Sequence, residues 1–167
     1  MNLETVSAIA QLIAAVGVVA SLFYLGVQIR QNTRSMRAVV VDALTRGIAD
    51  ILSGQTPETL RCFARVMEDL ESASEDDRLR ALPQFFALFK LFENAWFQQR
   101  QGTLDREQWR GWDAYVRSYY HHPGIQTWWR MRRAAFAPGF RDYLEKTEPI
   151  SDMTSLTELI QGKPTPT

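Results

Sequence analysis

Adjacent His121 and His122 are the first residues to test for chemistry, because imidazole carries protons near neutral pH and commonly binds metals. Neighbouring positions diverge in direction, and no HExxH spacing, cysteine partner or spaced carboxylate set accompanies them. They are read as a helix-ending loop ahead of Pro123 and Gly124, with no metal ligand predicted. Glu93 and Asn94 offer a second opening, since a carboxylate buried in an aromatic stretch has a raised pKa and can act as acid or base. The competing reading is a buried polar pair, satisfied by an arginine, that fixes helix register. We adopt that reading, because no nucleophile, glycine-rich phosphate loop or second carboxylate accompanies Glu93. Asp113, set among tryptophans, is treated the same way. No catalytic residue is predicted, no cofactor is expected, and the chain is not read as an enzyme.

Charge clusters give two further openings. Glu68, Asp69, Glu71, Glu75, Asp76 and Asp77 place six acids in ten residues, without calcium-loop spacing. The last three suit the first turn of a helix, so the run is read as solvated surface. In Trp128, Trp129, Arg130, Met131, Arg132 and Arg133, two indoles stand beside three guanidiniums. One reading lays Arg130, Arg132 and Arg133 on an anionic membrane face with the indoles at headgroup level. The other is an ordinary core face of Ile125, Trp128, Trp129 and Phe136 with the arginines outward. The 19 basic and 19 acidic residues sum to zero net charge, which leaves no global field to draw the chain onto nucleic acid, and no such partner is expected. Cys62 is the sole cysteine, which excludes an intramolecular disulfide and thiolate metal clusters and suits a reducing compartment.

The elements that must position these groups begin with an apolar N-terminal segment. Thr5 through Ile29 holds no charged residue, and its 25 residues at about 1.5 Å each exceed the roughly 30 Å of hydrocarbon in a bilayer. A transmembrane helix is predicted over residues 1–29. Met1 to Glu4 lacks the basic start of a signal peptide, so the segment is expected to be retained. Arg30, Arg34 and Arg37 follow it while Glu4 precedes it, which orients the N-terminus outside and the remainder in the cytoplasm. These three arginines, with Arg130, Arg132 and Arg133, are the predicted membrane-surface basic set. Ser7, Ala10, Ala14, Gly17 and Ser21 form a small-residue face with Gln11 beside it, opposite bulky Ile9, Leu12, Ile13, Val16, Val19, Phe23 and Val27. Such a face lets a second helix approach closely. The alternative is that small residues are simply common in membrane helices.

After Arg30 no breaker intervenes before Ser53 and Gly54, so one helix is expected from about residue 5 to 52. Thr56 with Pro57 opens a helix to about Leu70, and Ser74 with its following acids opens another to about Gln101, kinked at Pro83. Phe85, Phe89, Phe92 and Trp96 make the latter the core helix. Asp105 caps a helix carrying Trp109, Trp112, Val116, Tyr119 and Tyr120, a further amphipathic stretch starts at Ile125, and Pro138 starts a short helix with Phe140, Tyr143 and Leu144. The fold class is therefore all-α: one N-terminal transmembrane helix continuing into a cytoplasmic helical bundle of about five further helices. The bundle takes residues 30–147, and residues 148–167, rich in Pro, Ser and Thr, form a largely disordered tail.

The runs Glu4-Thr-Val-Ser-Ala-Ile-Ala-Gln and Tyr24-Leu-Gly-Val-Gln-Ile-Arg-Gln-Asn-Thr-Arg, with Phe92-Glu-Asn-Ala-Trp and Trp128-Trp129, resemble the signature of a widespread bacterial family of single-span membrane proteins with a cytoplasmic helical domain. The resemblance implies the bacterial inner membrane and brings no reaction, cofactor or catalytic residue. Expected partners are the lipid bilayer and another integral membrane protein or a second copy. The expected role is an accessory or stabilising subunit of a larger inner-membrane complex. The alternative is a tethered sensor that encloses a small apolar molecule around Phe89, Trp96, Trp109 and Trp112.

Overall fold

The computed structural model describes residues 2–150 together with residues 153, 154, 158, 159 and 162; for residues 3–10 and 12–14 it describes the backbone alone, except that Gln11 between them is described fully. The described chain is helical, with no strand among the described residues. In order, α1 spans Leu3–Ser53, α2 Pro57–Glu68, α3 Glu75–Arg100, α4 Arg106–Tyr120 and α5 Pro123–Arg132; a 3₁₀ turn at Arg133–Ala135 precedes α6 at Pro138–Leu144. Five α-helices thus follow the first, as expected.

Local chemistry explains where these helices start. The Thr59 amide donates to the Thr56 hydroxyl at 3.2 Å while the Thr56 amide donates to the Thr59 hydroxyl at 2.7 Å, a reciprocal cap. Ser74 accepts from the Asp77 amide at 3.1 Å, and Asp105 accepts from the Gln108 amide at 2.8 Å. Helix α3 runs through Pro83 without ending, and Gly102, at φ +73°, turns the chain after it in a conformation that favours glycine.

The chain divides into two compact units, Met1–Val39 and Val40–Thr167, and the division falls inside α1. In the second unit α3 is the central element: Phe85, Phe89 and Phe92 are fully buried, packed by Val66 and Met67 of α2, Val116 of α4, Ile125 and Trp129 of α5, and Phe140 of α6. Ring-to-ring packing fills this interior. The Phe89 ring lies 5.4 Å from Phe92 and 5.1 Å from Trp128, and Trp129 lies 4.9 Å from Phe136. Leu44 joins Ala95 and Leu104 in a smaller cluster of the same unit.

Among the described residues no helix is long and apolar enough to cross a membrane, which overturns the predicted N-terminal transmembrane helix. The described side chains give the physical reason. Among the described side chains, the apolar stretch is interrupted by Ser21 and Tyr24 and gives way at Gln28 to Arg30, Gln31, Asn32 and Arg34. Within the predicted span, the side chains of residues 5–10 and 12–14 lie outside the described residues. The predicted tail, residues 148–167, also lies largely outside them.

Candidate functional site

Glu93 acts as a clasp between helices. Its Oε1 accepts the Ala137 amide at 2.6 Å, at the start of α6, while Oε2 takes Lys90 Nζ at 2.7 Å. Lys90 also donates to the Ala135 carbonyl at 2.7 Å and stands 4.5 Å from the Phe136 ring centroid. Asn94 is exposed, and its side-chain oxygen accepts from Gln98 at 3.2 Å. The buried Glu93–Asn94 pair expected from sequence is not formed, because consecutive helical positions face about 100° apart. The register function falls to Glu93 with Lys90.

Asp113 behaves as the structural reading anticipated. It accepts the Tyr143 hydroxyl at 2.5 Å and Arg117 at 3.3 Å, and Arg117 donates in turn to the Glu148 carbonyl at 2.8 Å. Burial, reinforced by the bond to Asp113, holds the Tyr143 phenol well above the usual tyrosine range. The two histidines diverge. His121 lies 3.2 Å from the Thr147 hydroxyl and burial pushes its pKa below the ordinary value, whereas His122 Nδ1 is 3.0 Å from Glu68 Oε1. Among the described residues no three His, Cys, Asp or Glu side chains are grouped to hold a metal.

Two acids of the run, Asp76 and Asp77, are paired with arginines of the bundle. Arg65 of α2 grips Asp77 of α3 at 2.6 and 3.3 Å and holds its carboxyl down at about 2; Arg80 bonds Asp76 at 2.9 Å and Glu58 at 3.1 Å. Asp69 accepts the Glu71 and Ser72 amides in the turn between α2 and α3. Cys62 is buried beside this pair, and its thiol pKa is raised first by a hydrogen bond to Asp77 and then by burial. It is thus an unreactive packing residue.

Of the basic residues, Arg133 pairs with Glu145 at 3.0 Å, Arg130 donates to Thr127 at 2.9 Å, and Arg132 lines a surface groove. Trp128 and Trp129 are buried in the core, so the core-face reading holds and no indole is available at headgroup level. Arg30, Arg34 and Arg37 are exposed on α1 in the first unit.

Three surfaces among the described residues combine shape with apolarity. The first is the exposed part of α1, where Val16, Val19, Leu22, Phe23 and Ile29 are all more than half exposed and Phe23 reaches 76%. Ala15, Val16, Val19, Ala20 and Phe23 border a shallow hollow on it. Of the predicted packing face, Gln11, Gly17 and Ser21 are exposed, and the Ser21 hydroxyl donates to the Gly17 carbonyl at 2.8 Å within the helix. The side chains of Ser7, Ala10 and Ala14 lie outside the described residues. The second surface is a groove of about 610 Å³ between α3 and α5, walled by Leu79, Leu82, Pro83, Phe86, Trp128 and Met131, with Glu75, Arg78 and Arg132 also lining it. Sequence reasoning missed this groove, although Leu79 and Met131, apolar at outward positions, were its readable signal. Trp112 lines another groove, of about 510 Å³, with Val41, Ile48 and Met153. Phe89 and Trp96 instead sit within the packed core.

Comparisons with protein-family models, with curated proteins and with solved structures found no match to this chain.

Proposed function

We propose that this chain is an interaction protein, an accessory or stabilising subunit of a larger assembly, and that it docks through α1. The exposure of Val16, Val18, Val19, Leu22, Phe23 and Leu25 carries the proposal. At about 100° per residue these residues cover roughly half of the helix circumference, and an apolar helix face of that width is one that other matter buries. Monomeric proteins rarely leave a large contiguous apolar patch in water. The proposed occupant is an apolar helix of another protein, seated where Gly17 lets a backbone approach; beyond its own helix backbone, a Cβ at Gly17 would meet no described atom within 4 Å. We further propose that the assembly lies at the bacterial inner membrane, with Arg30, Arg34 and Arg37 toward anionic headgroups.

Mild-detergent extraction from the native source, followed by native separation and mass spectrometry, tests this. The expected result is co-migration with a defined larger assembly that is lost in Val19→Glu/Phe23→Glu and weakened in Gly17→Leu. Identical migration of the native chain and both variants as lone monomers would overturn it.

A further inference from the structure

The groove between α3 and α5 joins an apolar wall to two guanidiniums, and we infer that it binds a single-chain anionic amphiphile. The class is a long-chain carboxylate, its tail on Leu82, Phe86, Trp128 and Met131 and its head paired with Arg78 and Arg132. The volume, about 610 Å³, falls within the range of small-molecule sites. The floor is fixed: Trp128 is 2% exposed and its ring lies 5.8 Å from Phe85, while Phe86 lies 5.8 Å from the Phe136 ring. The rim is adaptable, because Met131 is unbranched and 64% exposed. Pro83, having no N–H, also leaves the Leu79 carbonyl without its helical donor beside the groove.

Charge selects the ligand. Among the described residues neither Arg78 nor Arg132 is paired with a carboxylate, in contrast to Arg65, Arg80 and Arg133. Glu75 also lines the groove, so its three charged groups sum to one positive charge. A carboxylate head would gain charge-assisted hydrogen bonds there. The α1 helix of a second copy is disfavoured as occupant, because Arg30, Arg34 and Arg37 flank its apolar stretch and would bring like charge to Arg78 and Arg132. An acidic amphipathic helix has the right sign, but it anchors over two or more turns, which exceeds a hollow of this size.

Calorimetric titration of the full chain tests the site, with sodium laurate below its micelle threshold, dodecanol as the uncharged equivalent, and an acidic amphipathic peptide. We expect laurate to saturate a single site, Arg78→Gln/Arg132→Gln to weaken it about tenfold with dodecanol unaffected, and Glu75→Gln to tighten it. Met131→Glu should abolish it. These are surface side chains, and an unchanged near-ultraviolet circular dichroism spectrum will show that the core is intact. The inference is overturned if the laurate isotherm is the same in Arg78→Gln/Arg132→Gln and Met131→Glu as in the native chain, since uptake would then lie elsewhere. It is equally overturned if dodecanol binds as tightly as laurate, or if the peptide binds and laurate does not. Docking through α1 stands or falls separately.

Discussion

The pair formed by Arg65 and Asp77 ties α2 to α3, and the hydrogen bonds from Arg65 keep the Asp77 carboxyl at about 2, below its ordinary 3.8. A carboxyl depressed by folding stabilises fully above its unfolded value, and that contribution is lost as pH falls through the folded one. Urea midpoints measured between pH 5 and 2 should therefore drop, and Asp77→Asn should flatten the drop below about pH 4. His121 works in a different window. Burial, then the nearby Arg117 and His122 charges, favour its neutral form, so the unfolded chain binds the extra proton and stability declines as pH falls below about 6.5. His121→Gln should reduce that slope. Gly124 is constrained by space: a Cβ would overlap the Val66 carbonyl oxygen and stand 2.7 Å from that of Met67, both backbone atoms of α2. Gly124→Ala should cost about 3 kcal/mol or more by denaturant titration, since backbone cannot yield as a side chain tip can.

At the scale of elements, caps were legible in the sequence because they are local. Thr56, Ser74 and Asp105 each accept an amide three residues on, and spacing alone locates them. The Asp77 carboxylate beside the Ser74 cap pairs with Arg65, a partner twelve residues away that no local pattern reveals. Glu93 likewise reaches Ala137, 44 positions on, which explains why its neighbour Asn94 was an attractive but mistaken companion. Glu93→Gln should cost roughly 1–2 kcal/mol by loosening α6 from α3, and Tyr143→Phe about the same through loss of the bond to Asp113; thermal or urea unfolding of each variant checks both. The groove arises only when α3 and α5 come together, so its residues, scattered from Glu75 to Arg132, carried no joint signal in the chain.

For the whole molecule, the open matter is α1. Its apolar run was legible and its length assigned it to a bilayer, whereas no described helix is long and apolar enough to cross one. Among the described residues Phe23, at 76%, is the most exposed large apolar side chain, and Val19, at 66%, stands beside it on α1. Docking of another protein on α1 would cover these side chains. Photo-crosslinking in intact cells, from a reactive side chain at position 19 with Arg106 of α4 as a surface comparison, tests this most directly. A protein adduct of defined mass is expected from position 19, absent from position 106 and lost in Phe23→Glu. Adducts to lipid alone, or none at all, would contradict it.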